Sequence, residues 1–146
     1  PKTPKPLIYQ KYNKKELEIE DPIPIKILLV GDALSGKTSF VNRYVKDKFD
    51  LHVSQMNQKD MVFGEQSFKI DLWDYGTASN HAPNIFFRDA EAAIVFVDLS
   101  SPEEQLSDIY TKAYEWRSAI NTRYTEVNGS EKPLKWMICL HKSDAI

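Results

Sequence analysis

An α/β domain built on a mostly parallel sheet is the fold class this sequence predicts, and three observations predict it. The runs IKILLV (25–30), AAIVFVDL (92–99) and WMICL (136–140) are short and almost wholly apolar, as strands covered on both faces are. Segments with apolar residues at helical spacing lie between them. Only one pair of strand-like runs, around residues 59–73, is close enough along the chain to form a hairpin.

Residues 1–24 (PKTPKPLIYQKYNKKELEIEDPIP) hold five of the eight prolines. Proline removes a backbone donor and disfavours helix, so this segment reads as an extended arm or linker ahead of a domain at 25–146. Its Leu7, Ile8 and Tyr9 either dock on a partner or on the domain, or belong to a solvated tail. After IKILLV comes GDALSGKT, then a helix in which Phe40, Val41, Tyr44 and Val45 share a face. The hairpin turns at Gly64-Glu65-Gln66; in its second strand Phe68, Ile70 and Leu72 alternate with Lys69, Asp71 and Trp73, which predicts one core face.

Beyond AAIVFVDL, Ser101-Pro102-Glu103-Glu104 combines an N-cap serine, proline at the first helical position and glutamate at the third. Leu106, Ile109, Tyr110, Ala113, Trp116 and Ile120 then form an apolar helical stripe; the aromatics of this helix are at core spacing, with a partner surface as the alternative for Tyr124 and Trp136. A polar loop, NGSEKP, leads to the last strand, WMICL. The chain starts at Pro1 without methionine and stops soon after that strand, so we expect further sequence on the C-terminal side. Lipidation and membrane association are therefore undecided.

With 146 residues and 42% hydrophobic content, the chain can bury one core. A net charge of −2 makes no electrostatic case for nucleic acid. Cys139, the one cysteine, excludes a disulfide framework and fits a reducing compartment; within WMICL it reads as a small buried hydrophobe. His52, His81 and His141 lack metal-ligand spacing among themselves or with Cys139. No window has the length of a membrane span, and the start carries no signal-peptide core.

The strongest chemical signal is Gly31-Asp32-Ala33-Leu34-Ser35-Gly36-Lys37-Thr38, a match to G-x-x-x-x-G-K-[ST] between a strand and a helix. Glycines let the backbone curl so that N–H groups face an anion, and the helix dipole points into the same space. By chance the pattern arises in roughly one chain of this length per hundred. Gly31, Ala33, Leu34, Ser35, Gly36, Lys37, Thr38 and Ser39 are the candidate phosphate contacts. Lys37 supplies a point charge for the β- and γ-phosphates, and the Thr38 hydroxyl is a ligand for Mg²⁺. Asp74, closing the run LWD, is by itself either a second metal ligand or a polar strand cap. Asp98, also at a strand end, reads as a capping or core-edge hydrogen-bonding group.

GDALSGKTSF, the strand ending in LWD, FFRDAEAAIVFVDLSS and the terminal HKSD together resemble the Ras-superfamily small GTPases, nearest to the Rab branch, over residues 25–144. The resemblance implies a P-loop NTPase fold with helices on both faces of the sheet and the nucleotide at the carboxyl ends of the strands. It implies GTP or GDP with Mg²⁺ as cofactors. Asp144 then stands at the guanine-reading aspartate of the family's Asn-Lys-x-Asp motif. Lys142 lays its stem along the base, and Phe49 meets the base edge. His141 replaces the asparagine and lacks an amide's paired donor and acceptor.

Departures from the family pattern concern hydrolysis. Where the family reads Asp-x-x-Gly-Gln, this chain reads Asp74-Tyr75-Gly76-Thr77-Ala78. Asp74 keeps its place near Mg²⁺, acting through water, while Ala78 falls at the water-orienting glutamine. A one-step slip with Gly76 as the switch glycine puts Thr77 there, which is still a poor replacement. Ser54 is the nearest hydroxyl to the first switch loop, and Ala33 crowds the space for an attacking water. The resulting expectation is a Rab-like GTP-binding protein with weak or absent hydrolysis. It would act as a docking or structural subunit with protein partners in a trafficking-type or ciliary assembly. Its location would be cytoplasmic, in association with membranes or a ciliary or cytoskeletal assembly. An active switch completed by a partner in trans and a nucleotide-free scaffold are the alternatives; the intact Lys37 and Thr38 argue against the scaffold.

Overall fold

The computed structural model describes residues 21–46, 57–75, 81–100 and 106–142. Its elements are β1 (Ile23–Gly31), α1 (Lys37–Lys46), β2 (Gln58–Phe63), β3 (Gln66–Asp74), α2 (Asn84–Phe87), β4 (Ala92–Asp98), α3 (Leu106–Asn128) and β5 (Lys135–His141). They form one sheet in the order β2-β3-β1-β4-β5. Only β2 and β3 pair antiparallel; β1 with β3, β1 with β4 and β4 with β5 are parallel.

The near-continuous apolar character of β1 follows from its central place. Leu28 and Val30 face one side of the sheet, with Ala93, Val95 and Val97 of β4, under Phe86 and Phe87 of α2 and the inner stripe of α3. Leu29 and Phe96 face the other side, with Ile70 and Leu72 of β3, under Val41 of α1. Each side chain of Leu or Phe size removed from water contributes about 1.5–3 kcal/mol, so two full cores are available to this small domain. Helices therefore cover both faces of a mostly parallel sheet. Among the described residues, no helix is long and apolar enough to cross a membrane.

Several details differ from the sequence reading. Strand β1 begins at Ile23 rather than at residue 25. At Pro24 only β3 is paired, because β4 joins from Ile27 onward, and a half-open strand start accepts a residue without an N–H. The arm's residues 1–20 and the cap at 101–104 lie outside the described residues.

Strand β3 buries Ile70 and Leu72 on the expected core face; on the other face Lys69 is exposed, while Asp71 and Trp73 are half-buried. Trp73 packs against the α3-side core, its Nε1 donating to Asp71 Oδ2 at 2.8 Å. Lys26 Nζ sits 3.7 Å from the Trp73 ring centroid and donates to the carbonyls of Ile85 (2.6 Å) and Arg88 (2.9 Å). The lysine thus stacks on an aromatic face while satisfying carbonyls at the end of α2. Burial pushes its pKa down, against the raising influence of Asp71 and Asp89.

The stripe of α3 also runs differently. Ile109, Ala113, Trp116, Ile120, Tyr124 and Val127 pack on the core, at steps of three or four. Tyr110 is one position off this line and is 70% exposed. Tyr124, at core spacing in the sequence, is 2% exposed and not at a partner surface, and Trp136 is half-buried against the same cluster. The last strand is less enclosed than its composition suggests: Met137, Ile138 and Leu140 are exposed, because β5 is an edge strand in the described sheet. Cys139 alternates inward to the α1-side core, and burial pushes its thiol pKa up.

Candidate nucleotide-binding site

The sheet order reverses at β1, with β3 on one side and β4 on the other. In open α/β sheets ligands bind outside the carboxyl ends of the strands at such a reversal. Here those ends are Gly31, Asp74, Asp98 and His141, from β1, β3, β4 and β5. Register brings them level, with Leu29 opposite Asp74 and Asp98 opposite His141.

Between β1 and α1 the chain makes a tight loop with positive φ at Gly31 (139°), Leu34 (60°) and Gly36 (97°). A Cβ on Gly31 would lie 2.3 Å from the Phe96 carbonyl oxygen, so only glycine lets the loop leave β1 beside β4. Leu34 points into solvent and Ala33 is also exposed, while Ser35 is fully buried. Ser39 is half-buried in the first turn of α1.

Beneath the loop lies Lys37, only 5% exposed. Its Nζ donates to Asp32 O (2.7 Å), Gly31 O (2.9 Å) and Ser35 Oγ (3.3 Å), which matches its three protons. Desolvation pushes its pKa down, while the Asp74 and Asp32 carboxylates pull it up. The arrangement is a cation held under an arch of backbone. A phosphate oxygen competes well for such a group, because a charge-assisted bond is about twice as strong as a neutral one.

Thr38, also in the first turn of α1, donates through Oγ1 to Asp74 Oδ2 at 2.8 Å. A hydroxyl and a carboxylate side by side are hard oxygen donors of the kind Mg²⁺ takes, and Mg²⁺ fills its remaining positions with water and substrate phosphates. Among the described residues, no group of three or more His, Cys, Asp or Glu side chains forms a self-sufficient metal cage. The donor set therefore fits a magnesium ion that arrives with a nucleotide.

At the end of β5, the His141 ring lies on Gly36. A Cβ there would come within 2.5 Å of Cε1 and Nδ1 and 2.9 Å of Nε2, so the second invariant glycine of the motif is required by its neighbour as well as by its φ. Among the described residues, Nδ1 of His141 is buried without a hydrogen-bond partner. The next residue, Lys142, has a positive φ of 61°, and its Nζ pairs with Asp98 Oδ2 at 2.5 Å. Asp98 Oδ1 accepts from Ser100 N at 2.8 Å, so this strand-end aspartate is a hydrogen-bonding group and not a free base.

Two contacts had no signal in the sequence. Trp116 Nε1 donates to Asp32 Oδ1 at 3.0 Å across 84 positions, and a groove of about 310 Å³ runs beside them along Lys112, Glu115 and Ala119. Helix α2 is four residues long, too short for a period to register; its Phe86 meets the Tyr75 ring at 5.7 Å and so guides the chain leaving β3. Phe49, Ser54, Gly76, Thr77, Ala78 and Asp144 lie outside the described residues.

Residues 26–144 match the family model described as Ras of Complex, Roc, domain of DAPkinase. The chain is similar to Ras-related protein Rab-7L1 of Rattus norvegicus, 25% identical over 127 residues, covering 82% of this chain and 59% of that protein. It is similar to Rab-32B of Dictyostelium discoideum, 29% identical over 131 residues (82% of this chain, 46% of the relative). With Rab-24 of the same organism it is 38% identical over 87 residues (56% and 43%). The chain thus spans less than two thirds of the length of these curated relatives. Guanine nucleotide and Mg²⁺ are what this family in general implies. On its fold, its phosphate loop and these matches, the chain belongs to the Roc/Ras-like GTPase family, as a divergent Rab-like small GTP-binding protein.

Proposed function

We propose that this chain holds GTP or GDP with Mg²⁺ and hydrolyses GTP weakly or not at all, the nucleotide serving chiefly as a structural ligand. The carrying observation is the stretch after β3. Asp74 is paired with Thr38, yet the sequence that follows supplies Ala78 where a side chain must orient water. The nearby carboxylates do not substitute for it, since Asp32 accepts from Trp116 and Asp98 from Lys142.

In this reading Lys37 and the loop from Gly31 to Ser39 hold the phosphates. Thr38 and Asp74 hold Mg²⁺, which when bound neutralises phosphate charge. His141, Lys142, Asp144 and Phe49 surround the base. A ligand bound only by the native state stabilises it by mass action, so a slow hydrolase still gains stability from its nucleotide. We further propose that the protein acts as a docking subunit in a trafficking-type or ciliary assembly, on the cytoplasmic side. The exposed Tyr110 and Tyr114 on α3, and Val62 and Phe63 on β2, support a protein-facing surface.

The test is to release the nucleotide from purified protein, identify it, and follow single-turnover GTP cleavage. Guanine nucleotide is expected, with cleavage no faster than the roughly 10⁻⁴ per second of an unaided family member. An empty pocket or an adenine nucleotide overturns the binding assignment; faster unaided cleavage overturns the structural one.

A further inference from the structure

We infer that Trp116 is a positioning residue for nucleotide binding: its indole holds the Asp32 carboxylate outside the phosphate loop, where it neither repels the phosphates nor competes with them. This rests on the nucleotide-binding reading above and deepens it by one contact from α3.

An aspartate is an awkward residue inside a loop that binds phosphate. Asp32 follows Gly31 directly, and its carbonyl oxygen faces the loop interior, accepting from Lys37 Nζ at 2.7 Å. Its charge is felt there too, since burial lowers the Lys37 pKa while the Asp74 and Asp32 carboxylates raise it. Left to itself, an aspartate side chain readily accepts from backbone N–H groups about two residues on. In this loop those N–H groups are the donors that a phosphate needs.

The folded chain sends the carboxylate elsewhere. Trp116 Nε1 donates to Asp32 Oδ1 at 3.0 Å, across 84 positions. An indole N–H is a single donor of fixed direction with no acceptor capacity. Trp116 lies well inside α3 and packs on the core that also takes Ala113 and Ile120, so the ring is carried by a rigid element. Asp32 and Trp116 both border the groove of about 310 Å³ beside Lys112, Glu115 and Ala119, where the carboxylate stays in contact with water. A phosphate that draws Lys37 to itself breaks the lysine's bond to Asp32 O. The bond from Trp116 lies outside the loop and survives, so in the bound state it is what fixes Asp32.

The experiment measures GDP affinity in Mg²⁺ for the full chain and a double-mutant cycle, with the ³¹P shifts of the nucleotide as an independent record of binding. Trp116→Phe keeps an aromatic ring on the core and deletes the donor; GDP should bind roughly three- to ten-fold more weakly, and the loss should shrink in high salt. Asp32→Ala removes both the charge and the competing acceptor, and should bind GDP about two- to three-fold more tightly than the wild type. Combining the two should abolish the loss caused by Trp116→Phe, a result that a purely structural tryptophan would not give. A further measurement needs no tryptophan variant. With ¹⁵N-labelled tryptophan, Trp116 is the indole N–H that moves in Asp32→Ala, and in the wild type it should keep its hydrogen-bonded position as GDP saturates. An indole that moves to the Asp32→Ala position on saturation overturns this inference alone. So does unchanged affinity in Trp116→Phe, or an equal loss with and without Asp32→Ala. Unchanged ³¹P shifts at every GDP concentration overturn the nucleotide-binding reading with it.

Discussion

Replacing Asp98 with asparagine tests the joint between the ends of β4 and β5 on which the base-side lysine depends. Burial by itself pushes the Asp98 carboxyl up. Hydrogen bonds from Lys142 and Ser100, with the lysine's charge, more than offset this and hold it down at about 2, from an ordinary 3.8. Because the folded value lies below the unfolded one, the carboxylate contributes its stability in full above the unfolded value, and loses it as pH falls from there through about 2. Taken whole, such a shift corresponds to a little over about 2 kcal/mol. The Asp98 and Lys142 side chains are 26% and 35% exposed, so solvent screening reduces the pair to about 1 kcal/mol. Asparagine keeps an oxygen for the Ser100 N–H and removes only the ion pair. Urea unfolding of both proteins from pH 7 down to pH ~2.5 should show a gap of about 1 kcal/mol at neutral pH. The gap should close across the acid range and shrink in high salt. A gap of constant size down to the lowest pH, or none at neutral pH, would refute the assignment of that joint to the Asp98–Lys142 pair.

Other outcomes follow from the same structure. Thr38→Ala removes the hydroxyl beside Asp74; GDP affinity should fall roughly 10- to 100-fold in Mg²⁺ and become insensitive to chelator, as read by fluorescent GDP titration. Lys26→Met removes the ammonium over Trp73 and its two hydrogen bonds to the end of α2, and should cost about 2 kcal/mol in urea melts. Ala78→Gln should raise single-turnover GTP cleavage at least about ten-fold if the missing glutamine is the block. No gain would place the defect in the register of Gly76 or in the first switch loop.

How much of this was legible along the chain depended on how local each feature is. The phosphate loop was, because Gly31 through Thr38 act as consecutive residues and their backbone curl is encoded by neighbours. The central strands were too, since burial on both faces leaves little room for polar residues in IKILLV or AAIVFVDL. Orientation was less legible. Trp73 fell on the outward alternation of β3, but α2 and Lys26 cover that side, and nothing in the local pattern announces a four-residue helix. Tyr110 and Tyr124 are chemically alike, and only the axis on which α3 settles over β4 sends one outward and the other into the core.

The amino-acid sequence by itself therefore determined the sheet's class, the phosphate loop and the absence of a glutamine after Asp74. Tertiary structure alone decided which distant groups meet at the carboxyl edge: Thr38 with Asp74, Asp32 with Trp116, Asp98 with Lys142, and His141 over Gly36. The reason is that these pairings follow from strand order and register, which set three-dimensional neighbours tens of positions apart and leave no trace in local spacing. The histidine shows this most sharply. In sequence it is one departure from a familiar motif; in the folded chain it is the ring against which the phosphate loop closes.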